Sequence, residues 1–170
     1  MNLANGTTRP TDWHLIDWKK ANRKVRNLRQ RIFRATQEGN LKKVRSLQKL
    51  MLRSHSNRVV SVRRVTQLNA GRKTPGIDKL VVKTPAARAK LVDELSQFSP
   101  WQARPARKIF IPKVNGKLRP LGIQVIRDRA LSAMVKNALE PEWVHCYNTR
   151  LTSKNLWLIK PAPVSSFCKP

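Results

Sequence analysis

Between Trp18 and Arg64 a regular apolar stripe runs beneath a dense coat of arginine and lysine, and Glu38 is the single carboxylate of that stretch. Trp18, Ala21, Val25, Leu28, Ile32 and Ala35 recur at alternating spacings of three and four. That period predicts a helix with one narrow apolar seam, close to a heptad. Leu41, Val44, Leu47, Leu50 and Met51, then Val59, Val62, Val65 and Leu68, predict a second helix of the same kind. Gly39 suits the end of the first helix and Asn40 the N-cap of the next. So short a link between two amphipathic helices predicts an antiparallel helical hairpin, seams inward and basic faces outward.

The charge narrows the partners. The 170 residues carry a formal net charge of +27. Such a surface repels itself unless a polyanion covers it, so the folded state depends partly on a nucleic-acid partner. A disordered basic tail is excluded, because the 40% of hydrophobic residues are periodic. A basic helix lying on a membrane needs bulky apolar residues opposite its cations. The narrow seam suits helix–helix packing instead, so no membrane partner is expected. No apolar run approaches spanning length; Leu156 to Ile159 is far too short. Cys146 and Cys168 form neither a CxxC pair nor a disulfide framework, which points to a reducing compartment. The N-terminus lacks the layout of a signal or transit peptide. The expected location is the cytoplasm of a bacterium, or the matrix or stroma of an organelle that encodes the protein.

The remaining chain is mixed. Residues 70–78 (AGRKTPGID) read as a loop. Thr84-Pro85 is an N-cap and first-turn pair opening a helix with Leu91, Val92 and Leu95. Residues 99–106 form an irregular connector with two prolines. Lys108–Lys113 is strand-like, Asn115-Gly116 supplies a turn, and Lys117–Val125 returns as the second arm. Pro112 and Pro120 each remove a ladder donor, so both arms should be edge-like. A last helix begins at Ile126 with Leu131, Met134, Val135, Ala138 and Leu139, Asp128 favouring its dipole and Pro141 ending it near Glu140. The fold class is therefore mostly α with a small β part, an α+β layout: a basic helical hairpin, a helix, a β-hairpin and a further helix. Length allows one domain plus a small annex.

Catalytic chemistry finds little to work with. Two-metal phosphoryl transfer needs converging carboxylates. Asp93 and Glu94 are adjacent on a helix and point about 100° apart, and Glu140 and Glu142 sit at a helix end; both pairs read as solvated surface carboxylates. His14, His55 and His145 are scattered singly, and His145-Cys146 is not a metal spacing, so neither a metal nor a cofactor is expected. Lys108, Lys113, Lys117 and Arg119 flank the β-turn. On a two-stranded ribbon they suit contact with phosphates, of a nucleic-acid backbone or a nucleotide, as readily as they suit an ordinary solvated hairpin.

These motifs add up to a family resemblance. The run RKIFIPKVNGKLRPLGIQVIRDRALSAMVKNALEPEW resembles the first conserved block of group II intron-encoded reverse transcriptases, also called maturases. Residues 13–18 (WHLIDW) resemble the start of their N-terminal extension, and residues 65–78 (VTQLNAGRKTPGID) the loop that follows its basic helices. The likeness covers roughly residues 10–143. It implies an N-terminal extension that binds a high-affinity stem-loop of intron RNA, joined to the start of the fingers. It also implies template or nucleotide contacts at Lys113 and Arg119, and a template-contacting strand at Pro120–Ile123. After Trp143 the family pattern of a YGFRP-type segment, a palm with its aspartates and a YADD box is not matched; HCYNTRLTSKNLWLIKPAPVSSFCKP stands there instead.

The organisation expected is a flexible leader at 1–11, a basic helical RNA-binding extension at 12–78, partial fingers at 79–145 and an irregular tail at 146–170. The function expected is non-catalytic binding of structured RNA, with intron splicing assisted. The residues expected to carry it are Lys19, Lys20, Arg23, Arg26, Arg29, Arg34, Lys42, Lys43, Arg45, Lys49, Arg53, Arg63, Arg64, Arg72 and Lys73, with Lys113 and Arg119 second. Two alternatives stay open: an assembly subunit of a large ribonucleoprotein, bound to ribosomal RNA and other proteins, and the fingers part of a split reverse transcriptase.

Overall fold

A computed structural model describes residues 11–97, 102–114 and 116–153, with 145–153 as backbone alone. Residues 1–10 of the expected leader, part of the connector, Asn115 and the tail beyond Ser153 lie outside the described residues. Five helices and one two-stranded sheet follow in order: α1 (Trp18–Gln37), α2 (Leu41–Arg53), α3 (His55–Arg63), α4 (Pro85–Glu94), β1 (Arg107–Pro112), β2 (Leu118–Ile123) and α5 (Ile126–Ser153).

The helix starts are set by local chemistry. The Asp17 side chain accepts from the Lys20 N–H at 2.8 Å, Asn40 Oδ1 from Lys43 N–H at 3.0 Å and Thr84 Oγ1 from Ala87 N–H at 3.2 Å. Each satisfies an orphan donor of a first turn. Gly39 turns the chain from α1 to α2 at φ 66°, where a side chain would be strained.

The apolar seam finds a partner that periodicity does not name. Val25, Ile32 and Ala35 of α1 and Val44, Leu47 and Met51 of α2 close into one core cluster with Ala138 of α5. A second cluster joins Trp13 and Ala21 to Val59, Val62, Val65, Leu91, Val92, Ile126 and Ala130. The expected two-helix hairpin is thus two sides of a three-helix arrangement, with α5 along the third. Leu41, Leu50 and Leu68, counted on the seam from sequence, are exposed.

The second basic helix is also not continuous. The chain breaks at Ser54, which is extended at φ −67° and ψ 124°. Asn57 Nδ2 then donates to Met51 O at 3.1 Å, capping a carbonyl that the break releases. Helix α3 passes into one π-helical turn, Arg64–Leu68, closed by Asn69 N–H to Arg64 O at 2.9 Å, and then a 3₁₀ turn, Ala70–Lys73.

Helix α5 does not stop near Glu140; it runs through Pro141 to Ser153, so its last turns occupy the start of the expected tail. An interior proline costs about 3 kcal/mol. Here the flanks are tied to other helices, Glu140 to Arg29 of α1 at 2.8 Å and Glu142 to Gln48 of α2 at 2.6 Å. Those contacts and the buried Ala138 hold the helix across the missing hydrogen bond.

The β-hairpin pairs in register from Arg107↔Ile123 to Pro112↔Leu118, with Phe110 facing Pro120. Lys113 N–H donates to Lys117 O at 2.8 Å across the turn, and Gly116 stands at φ 73°. Both strands are edges, as the prolines require.

The loop before α4 is fastened to α5 by Arg129. Its guanidinium donates to Gly71 O at 3.0 Å, Thr74 O at 2.6 Å and Gln124 O at 2.8 Å. Gly76 lies so close to Val125 that a Cβ would sit 2.7 Å from its Cα, which explains glycine there better than turn chemistry does.

Candidate nucleic-acid interface

The α-helical period sorts the basic residues by face. On α1, Lys19, Arg23, Arg26 and Arg34 fall within an arc of about 80° opposite the seam, and all are exposed. On α2, Lys42, Lys49 and Arg53 fall within about 40° of one line opposite Met51, and they too are exposed. Lys20, Lys43 and Arg45 flank these rows and are exposed. Each row stands on a backbone fixed by caps and a buried face. Helix α1, with 20 residues, is roughly 30 Å long and carries its row from Lys19 to Arg34 over roughly 22 Å of that length.

Two of the expected contacts are engaged inside the fold. Arg29 lies at the edge of the buried face and is half-buried. Its Nη2 donates to Glu140 Oε2 at 2.8 Å and its Nη1 to Asn137 Oδ1 at 3.3 Å. Arg63 stacks over the Trp18 ring at 4.3 Å, and Trp18 meets Trp13 edge-on at 5.0 Å. This stack ties α3 to the start of α1 and still leaves the rim of a guanidinium to meet an anion. Lys43 is paired with Glu38 at 3.0 Å, but both are exposed, so the pair holds Lys43 weakly. Arg64 is exposed on the π-helical turn, and Arg72 and Lys73 on the 3₁₀ turn. Lys113 and Arg119 are exposed near the tip of the β-hairpin, a separate element from the helical rows.

All nine carboxylates lie among the described residues, and every one except Glu94 has a structural contact. Asp12, Asp17 and Asp78 bond nearby backbone N–H groups. Asp93 accepts from Thr11 N–H and, at 2.6 Å, from Thr11 Oγ1; the buried Asp128 accepts from Arg104 N–H at 3.0 Å. Glu38, Glu140 and Glu142 bond Lys43, Arg29 and Gln48. The solvated reading of Asp93, Glu140 and Glu142 is therefore corrected: in a chain with so few acids, these three cross-link elements. Among the described residues no group of histidine, cysteine and carboxylate side chains is placed to hold a metal.

Beneath the rows lies a buried polar chain with no signature in the sequence pattern. Asn57 Oδ1 accepts from Asn137 Nδ2 at 2.8 Å, Asn57 Nδ2 reaches Met51 O and Met134 O, and Asn137 Oδ1 accepts from Arg29. Sequence reasoning also passed over Arg58 and Arg127, which the fold places beside Lys49 and Arg53 around one groove. The available signal was that Arg58 interrupts the apolar seam.

The titrating groups give the fold an acid limit. The hydrogen bond from Arg29, reinforced by the nearby positive charge, holds the Glu140 carboxyl below its ordinary range. Burial, then the charge of Arg58, lowers the His55 imidazole. In both cases the unfolded chain binds the proton first as pH falls. Stability therefore declines as pH falls through the ordinary imidazole range because of His55, and declines again through the ordinary carboxylate range because of Glu140. Urea unfolding across pH should show the lower step flattened in Glu140→Gln; an unchanged profile would remove Glu140 as its source.

Residues 13–95 match the N-terminal domain of reverse transcriptase. The chain is 39% identical over 92 residues to Protein YkfC of Escherichia coli, covering 51% of this chain and 24% of that protein. It is 30% identical over 125 residues to Maturase-like protein 1 of Euglena gracilis, covering 73% of this chain and 27% of that protein. To Maturase-like protein 1 of Euglena longa it is 24% identical over 127 residues, with coverages of 74% and 28%. The chain thus spans about a quarter of the length of these relatives. No helix among the described residues is long and apolar enough to cross a membrane.

Proposed function

We propose, for a chain that carries the N-terminal region of the group II intron reverse transcriptases and maturases, a non-catalytic function: gripping the phosphates of structured RNA, intron RNA above all, and so assisting its splicing. The observation that carries this reading is the pair of outward rows, Lys19, Arg23, Arg26 and Arg34 on α1 with Lys42, Lys49 and Arg53 on α2. None of these seven is ion-paired among the described residues. Cations on fixed helices without internal partners are available to phosphates at small conformational cost. Duplex RNA hides its base edges in a deep, narrow groove, so rows of this kind read shape and backbone position.

The names of two relatives support an intron partner, since both are maturase-like proteins. The carboxylates support a role without phosphoryl transfer, since all but Glu94 are committed to local or long-range structural contacts. Arg29 leaves the set of direct contacts and becomes the residue that fixes α1 against α5. Lys113 and Arg119 form a second, smaller contact on the hairpin.

Binding to an RNA stem-loop, followed from low to physiological salt, tests the reading. Because each neutralised phosphate releases counterions, log K should fall linearly with log salt, by about 0.9 per phosphate contact. Affinity that does not change with salt would overturn it.

A further inference from the structure

The cations Lys49, Arg53, Arg58 and Arg127 surround a groove of about 810 Å³ where α2, α3, the end of α4 and α5 meet. Its floor is apolar, with Leu131, Met134 and Val135 of α5 lining it, and Val135 is 41% exposed. Glu94 is the one acid on the wall. None of the four cations is ion-paired among the described residues. Arg58 is the most constrained of them. One of its guanidinium nitrogens donates to Arg53 O at 3.4 Å, and its buried Nε finds no acceptor among the described residues. A cation half withdrawn from water, with Asp93 nearby but no direct ion pair, is costly to keep, and an anionic occupant offsets that cost.

An apolar floor with a cationic rim selects a ligand that is flat and apolar at one end and anionic at the other. Lys49 and Arg53 belong both to this rim and to the outward row of α2, so an RNA strand lying along the row passes the mouth of the groove. We propose that the groove receives an unpaired nucleotide of the bound RNA, its base over Leu131 and Val135 and its phosphate met by Arg53, Arg58 and Arg127. This rests on the phosphate-gripping reading of α1 and α2 and adds to it a preference for stems interrupted by a bulge. The volume suits such a guest, since small-ligand sites run from about 300 to 1,000 Å³.

Two RNA hairpins of the same stem sequence test it, one fully paired and one carrying a single bulged 2-aminopurine nucleotide. The full chain should bind the bulged hairpin about ten-fold more tightly, the order expected from burying the apolar face of one base against aliphatic side chains, and should shield the 2-aminopurine from acrylamide quenching. Val135→Glu and Arg127→Glu, both at exposed positions, should each erase the preference and the shielding, and Val135→Glu should leave salt-dependent binding of the paired hairpin in place. The double change Arg23→Glu/Arg26→Glu should weaken both hairpins alike. Equal affinity of the unaltered protein for the two hairpins, or a preference that survives Val135→Glu, overturns the groove while the phosphate grip stands. Failure to bind either hairpin overturns both.

Discussion

Reversing charge at Arg23 and Arg26 together should lower affinity for an RNA stem-loop by about a hundred-fold at 0.1 M salt, with the slope of log K against log salt shallower by about two. The estimate follows from counterion release. Each phosphate contact contributes about 0.9 log unit at that salt, and a glutamate in its place adds repulsion. Both residues are exposed on the α1 face opposite Ala21 and Ile32, so the helix and its core should survive the change. Arg29→Gln is the informative comparison. From sequence it stands in the same basic run, yet its guanidinium is held by Glu140 and Asn137. It should reduce stability and leave the salt slope untouched. A shallower slope in Arg29→Gln, or an unchanged one in the Arg23/Arg26 double variant, would show that the outward row is not the contact surface.

That contrast also marks what the sequence discloses. Features decided within a few residues were legible: the seam of α1, the Gly39-Asn40 link, the Thr84-Pro85 start and the hairpin around Gly116. Caps, turns and periodicity are local, and each leaves its mark in residue types. The interior interruption at Ser54 was half legible, because the seam carries Ser, His and Arg at 54, 55 and 58 where apolar residues are due. What could not be read was pairing across the chain. Glu140 lies 111 positions from Arg29, and no spacing rule joins them. Pro141 is a helix breaker by local rules, and the ties of Glu140 to α1 and Glu142 to α2, with the buried Ala138, carry the helix past it.

Charge density marks the stretch 18–64 as strongly basic, but density alone treats every arginine there as equivalent. Burial separates them. Arg23 and Arg26 face solvent, Arg29 anchors α5, Arg63 packs on Trp18, and Arg58 turns into the groove. A basic chain with nine acids uses nearly all of them to position cations or loops, so the acids report the fold, while most cations of α1 and α2 make no ion pair among the described residues.

Asn57→Ala should be the most damaging single substitution outside the apolar core, lowering stability by about 3 kcal/mol. Asn57 is fully buried and holds three elements at once: Nδ2 donates to Met51 O on α2 and Met134 O on α5, and Oδ1 accepts from Asn137 Nδ2 at 2.8 Å and from Ser61 Oγ at 3.5 Å. Alanine removes every one of these bonds and leaves Asn137 Nδ2 with only the long 3.4 Å contact to Ser61 Oγ. A buried donor that loses its acceptor costs about 1–3 kcal/mol, and the cavity adds to that. For a domain of this size the melting temperature should fall by about 10 °C. The cost should be strongly non-additive with Asn137→Ala, because the double variant no longer leaves an amide without its partner. Additive losses would mean that the two asparagines act separately. The consequence for binding follows from position. Asn57 fixes the end of α2 against α5, at the junction that carries the exposed Lys49 and Arg53, so on the proposed function loosening it should weaken RNA binding without changing the number of phosphates contacted. A lower affinity with an unaltered salt slope is the expected signature, and it separates a residue that positions the basic row from one that belongs to it.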